Sequence, residues 1–130
     1  MSTAEENKAF VRRYLDAING KDKTPALCNQ FIADSDDELK QHIAGAEAGF
    51  PRYSLDPEDL IAEGDKVILR FTLRGTHKGD FMGLSPTGKE IAVPGIIIYR
   101  IAGGKIAQHW IQTDAVGMLQ QLGAIPQPAS

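Results

Sequence analysis

The chain has 130 residues, 42% of them hydrophobic and 24% charged, and a formal net charge of -3. That length suits one domain with one core, and the composition leaves no room for a long disordered segment. A net negative chain lacks the clustered Lys and Arg that nucleic acid or an anionic membrane surface requires, so no nucleic acid and no membrane is expected as partner; a small molecule or another protein is.

Cys28 is the single cysteine, which gives no internal disulfide, no CxxC metal site and no redox pair, and fits a reducing compartment. The opening MSTAEENK has neither the basic nor the apolar region of a secretory signal. No apolar run approaches the ~20 residues of a membrane span. The expected location is cytoplasmic.

Thr3 and Glu6 form a capping-box pattern, after which Phe10, Tyr14, Ala17 and Ile18 recur on one helical face until Asn19 and Gly20 stop it. Thr24 before Pro25 reads as an N-cap followed by proline at the first helical position, with Leu27, Phe31 and Ile32 as a short apolar stripe. Ser35 and Glu38 repeat the capping box for a third helix, whose stripe of Leu39, His42, Ile43 and Ala46 ends near Phe50 and Pro51. His42 is therefore expected to point inward.

After Pro51 the period becomes extended, and strands are expected at about Tyr53 to Glu63, Lys66 to His77, Glu90 to Ile101 and Lys105 to Thr113. Gly64 with Asp65, and Gly103 with Gly104, punctuate two hairpins. In the second strand Val67, Leu69, Phe71 and Leu73 alternate with Arg70, Thr72, Arg74 and Thr76. Asp114 then N-caps a last helix that buries Ala115, Met118, Leu119 and Leu122 and stops at Gly123. The pattern describes one domain with an ordered core at about 4–124 and a loose tail at 125–130. Helices first and an antiparallel meander afterwards give an α+β fold, a curved sheet with helices on one side that can wrap a cavity.

A two-residue turn at Gly103 and Gly104 sets Tyr99 opposite Gln108, Ile97 opposite Trp110, Gly95 opposite Gln112 and Val93 opposite Asp114. That register puts Trp110, Gln112 and Asp114 on the cavity face. His77 has the parity of the apolar face of its own strand and, with a symmetric loop from Lys78 to Lys89, lies opposite Ile91, about 10 Å from Asp114. Pro94 marks the place where a bulge would reset this parity. The other face carries Ile96, Ile98 and Ile111, too apolar for water, and a homodimer through it is expected.

Asp114 has two readings: a helix cap contributing about 1 kcal/mol, or a carboxylate desolvated beside Trp110 that exchanges protons near neutral pH. His77 is either structural or an imidazole that orients a carbonyl or relays a proton. His42 and Tyr14 divide in the same way between core packing and pocket donors. His109 falls on the presumed interface. "GLSPTGKE" approximates a phosphate-loop spacing, but Glu90 stands where Ser or Thr is required and a strand follows, so it is a turn. Three histidines and one cysteine without close pairing give no metal site, and there is no Gly-Xaa-Ser-Xaa-Gly elbow.

The strings "RGTHKGDFMGLSPTGKEI", "GIIIYRIAGGKIAQHW" and "DAVGMLQQLGA", in this order of elements, resemble the SnoaL-like polyketide cyclase or ester cyclase family of the nuclear transport factor two superfamily, from Asn7 to about Ala124. The resemblance implies a cone-shaped α+β barrel, usually dimeric, with N-terminal helices over a mostly apolar central cavity and acid/base chemistry with no cofactor. It also implies that Asp114 is the main acid/base and that His77 lines the pocket. Two departures stand out: Ile97 where relatives often carry a polar residue, and no Asp-His pairing in "CNQFIADSDDELKQHI".

The expected function is a cyclase or isomerase acting on a small hydrophobic carbonyl compound. Asp114 would remove the proton and His77 would stabilise the enolate, with Tyr14, His42, Phe71, Tyr99, Trp110 and Gln112 as the binding set and no metal. A non-catalytic module for a hydrophobic metabolite is the rival. An epoxide-opening hydrolase ranks last, because Arg70, Arg74 and Arg100 fall on the other face.

Overall fold

The structure, a computed structural model, describes residues 3–126. Helix α1 (Ala4–Ile18) starts at the expected box: Glu6 N donates to Thr3 Oγ1 at 3.1 Å and Thr3 N to Glu6 Oε1 at 3.3 Å. Its buried face is Val11, Tyr14, Leu15 and Ile18. Asn19 then locks the helix end to the sheet, its side chain donating to Leu55 O and accepting from Leu55 N. Helix α2 (Pro25–Phe31) is capped by Thr24, as the sequence indicates. Helix α3 (Asp37–Gly49) differs at its start. A 3-10 turn at Asp34–Asp36 takes up Ser35, whose hydroxyl donates to Ala107 O, so Asp36 is the N-cap and accepts from Leu39 N.

Strands β1 (Ser54–Glu63), β2 (Lys66–Thr76), β3 (Glu90–Ala102) and β4 (Lys105–Thr113) form one antiparallel sheet in chain order, and helix α4 (Ala115–Gln121) follows. The result is a curved α+β sheet with the N-terminal helices over its concave face. Val67, Leu69, Phe71 and Leu73 of β2 are buried there with Val93, Ile97 and Tyr99 of β3. The tail expected to be loose falls largely on residues 127–130, outside the described ones.

The β3–β4 register departs from expectation, and the departure moves the site. Gly103 and Gly104 both have positive φ and close the hairpin as foreseen, with Ala102 opposite Lys105 and Ile101 opposite Ile106. Ala107 is then an extra residue, and pairing resumes at Arg100 with Gln108. The bulge sits where the segment after α2 docks on β4: Ala33 N donates to Ile106 O at 2.8 Å and Ser35 Oγ to Ala107 O at 2.9 Å. Pro94 carries no bulge and pairs with Thr72 in an unbroken register.

A one-residue slip turns every following side chain to the opposite face. Trp110 pairs with Ile98 and Gln112 with Ile96, so both lie on the outer face, with Trp110 44% exposed. His109, Ile111 and Thr113 turn inward instead, opposite Tyr99, Ile97 and Gly95. The apolar outer face is thus Ile68, Ile98 and Trp110 in one cross-strand row with Ile96 beside it, and Ile111 is not part of it.

Candidate active site

Between α3 and the concave face of the sheet lies a cavity of about 260 Å³. Phe71, Leu73, Ile97 and Ile111 supply its sheet wall, and Leu39, Ile43 and Ala46 its helix wall. Phe71 crosses β3 at Gly95, where any side chain would strike its ring. Polar character comes from Tyr14, Tyr53, Tyr99, Gln41, His42 and Thr113; no Asp, Glu, Lys or Arg is among the lining residues.

Burial, reinforced by the neighbouring phenols, pushes the Tyr14 hydroxyl well above the ordinary tyrosine range, and burial does the same to Tyr53 and Tyr99. All three remain neutral donors. The Tyr99 hydroxyl is shut off from solvent and has no protein partner. Tyr53 is held from behind by Lys23, a buried residue that the sequence did not single out: its Nζ donates to Tyr53 O at 2.7 Å and lies 4.1 Å from the Tyr53 ring centroid. Burial lowers the Lys23 pKa, against the opposing effect of Glu47.

His42, expected to point inward, is instead exposed at the mouth, where it forms part of the cavity lining. Burial first, then the nearby His109, lowers its pKa below the ordinary imidazole value, while Glu38 opposes them. The free base therefore predominates at neutral pH. His42, Tyr14, Phe71 and Tyr99 of the expected binding set share this cavity; Trp110 and Gln112, on the outer face, do not.

The expected convergence of Asp114 and His77 is not found. Asp114 is exposed, and its Oδ1 accepts from Gly117 N at 2.9 Å as the cap of α4; Thr113 is the neighbour that lines the cavity. His77 is fully buried and faces inward as its parity requires, but it pairs with Lys89 and not Ile91. Asp114 N bonds to Pro94 O. Lys89, the residue before β3, and Pro94 are five residues apart, roughly 16 Å of extended chain, so the two side chains do not meet on one atom. Thr87 N donates to His77 Nδ1 at 3.2 Å, which makes Nδ1 an acceptor, and Phe50 packs on the ring at 5.3 Å. His77 thus ties the 78–89 loop to the sheet.

That loop contributes Phe81, whose ring meets Phe50 edge-on at 5.0 Å beside the cavity. Sequence reasoning also missed a buried pair: His109 Nδ1 lies 2.8 Å from Asp36 Oδ2 and 3.0 Å from Oδ1, with both side chains about 5–6% exposed. The Asp-His partnership absent from the local string is thus made over 73 positions. Only the Ala107 bulge brings His109 inward. Among the described residues no cluster of three His, Cys, Asp or Glu side chains is placed to hold a metal ion, and no helix is long and apolar enough to cross a membrane.

Comparison with known proteins agrees with this architecture. The family described as SnoaL-like polyketide cyclase matches residues 10–122. The chain is 28% identical over 128 residues to an aklanonic acid methyl ester cyclase of Streptomyces sp. strain C5, an alignment covering 88% of this chain and 80% of the relative. It is 30% identical over 100 residues to a nogalonic acid methyl ester cyclase of Streptomyces nogalater, covering 76% and 75%. A crystal structure of a proposed SnoaL-like polyketide cyclase from Jannaschia sp. CCS1 superposes with a TM-score of 0.83 at 22% identity, covering 97% of each chain, and shares the fold. The chain belongs to the SnoaL-like polyketide cyclase family.

Proposed function

We propose that the protein is a cofactor-independent acid/base enzyme of the cyclase type, acting on a small hydrophobic carbonyl compound. The observation that carries this reading is an apolar cavity without formal charge, lined by three neutral phenols and by one imidazole whose lowered pKa leaves it free to accept a proton. His42 takes a proton from the carbon next to a carbonyl. The C–H electron pair moves to the carbonyl oxygen as an enolate, which a tyrosine hydroxyl stabilises by donation. The enolate carbon then attacks a second carbonyl carbon, a C–C bond forms, and the resulting alkoxide recovers the proton from His42. Relatives named as methyl ester cyclases support an ester-bearing substrate. Asp114 is the alternative base: it follows cavity-lining Thr113, and its Oδ2 remains to take a proton while Oδ1 accepts from Gly117 N.

The reading extends to surroundings and assembly. Cys28, buried and unpaired, suits the cytoplasm. The row of Ile68, Ile98 and Trp110 with Ile96 suits a second copy of the chain, making a homodimer, and nothing in the charge pattern favours nucleic acid or membrane as partner.

The test is deuterium exchange at the α-carbon of ethyl benzoylacetate in D2O. The native protein accelerates exchange over buffer, His42→Gln loses about a hundredfold or more of that acceleration, and Asp114→Asn, which keeps an equally good cap, retains it. Loss in Asp114→Asn with retention in His42→Gln would assign the base to the carboxylate instead.

A further inference from the structure

Twelve of the thirteen glycines have a visible structural reason: seven adopt positive φ, and at five others an added Cβ would meet a neighbour closely. Gly45 has neither. It lies in the interior of α3, where alanine or nearly any other residue is a better helix former; it is exposed at the open rim of the cavity, and outside its own stretch of helix no atom comes within 4 Å of where its Cβ would stand. The folded chain alone therefore gives no reason for the missing side chain.

Gly45 lines the cavity, between Gln41 and His42 on one side and Ala46 on the other. One turn further along the same face, Gly49 is packed against the Phe81 ring, so its own Cβ would lie 2.8 Å from Phe81 Cβ. Two glycines four residues apart on one helical face thus have different fates. The 78–89 loop covers Gly49 through Phe81, and the space at Gly45 is left open at the edge of that cover.

We propose that the bound ligand fills this space, lying directly against the α3 backbone at Gly45, and that Gly45 sets the size of ligand the site accepts. The cavity lining has no Asp, Glu, Lys or Arg and offers neutral donors from Tyr14, Tyr53 and Gln41, so the ligand is an uncharged, oxygen-bearing ring compound. A flat face is what a bare helix backbone admits most closely. This inference rests on the cavity being the binding site of the proposed reaction, but it concerns occupancy and not proton transfer.

The experiment measures binding of 2-naphthol, an uncharged bicyclic phenol, by its fluorescence with the native protein and with Gly45→Ala, Gly45→Val and Gly45→Leu. Melting temperatures are recorded in parallel. Gly45→Ala is expected to melt higher than the native protein while binding more weakly, and affinity is expected to fall with side-chain size, by about tenfold or more for Gly45→Leu. Ala44→Leu, exposed like Gly45 but not part of the cavity lining, is expected to bind normally. A folded Gly45→Leu protein that binds 2-naphthol within about twofold of native would overturn the proposal. That result would leave the cyclase reading standing, whereas graded binding without α-proton exchange in the native protein would overturn the cyclase reading and leave this one.

Discussion

Asp36 holds two elements at once: one carboxylate oxygen caps α3 through Leu39 N, and both approach His109 Nδ1 on β4. Nearly all of its side chain is withdrawn from water, so removing it loses the cap and strands a buried imidazole donor. Asp36→Ala is expected to destabilise the fold by about 2–4 kcal/mol, against about 1 kcal/mol for an N-cap alone, measured by urea unfolding. Asp36→Asn, which can still cap and accept, is expected to recover part of that loss. A cost no larger than that of the cap would mean that the bond to His109 contributes nothing. None of this was legible in the sequence. The partners lie 73 positions apart, and simple strand alternation puts His109 on the outer face, which the bulge at Ala107 reverses.

At the scale of elements, the helix starts and the strand limits were legible because their causes are local. Thr3 with Glu6, Thr24 with Pro25, and the alternation from Val67 to Leu73 each act within one or two turns or along one strand. The Ala107 bulge has no such local cause, since the backbone and side chain of residues 33–35 meet β4 there from more than seventy positions away. Capping at Ser35 failed for the same reason: that hydroxyl is engaged by β4. The close approach of β2 and β4 to β3 makes a separate prediction at Gly95. An added Cβ would stand 2.8 Å from Phe71 Cε1 and 2.9 Å from Thr113 Cγ2, so Gly95→Ala pushes the Phe71 ring into the cavity and costs about 1–3 kcal/mol. Both a lower melting temperature and weaker 2-naphthol binding are expected; unchanged values of the two would show that the ring does not depend on that glycine.

At the scale of the whole molecule, the sheet has one face given to the cavity and one left apolar in water. Ile68, Ile96 and Trp110 are each more than a third exposed and lie on adjacent strands. Light scattering on the eluting protein is expected to give twice the 14.1 kDa chain mass, and Trp110→Glu is expected to give the single mass without loss of helix content. A native protein that elutes as a monomer at micromolar concentration would remove the proposed dimer and leave the cavity as described. The cavity is the centre of the account, and its base is most directly tested by the pH dependence of α-proton exchange in ethyl benzoylacetate. Because the folded His42 pKa is lowered, the imidazole is free above the ordinary value near 6.5 and becomes protonated only as pH falls further. The rate is therefore expected to be level across neutral pH, to fall only below 6.5, and to lose this pH-dependent part in His42→Gln. A half-maximal rate at or above 6.5, or an unchanged profile in His42→Gln, would contradict the assignment.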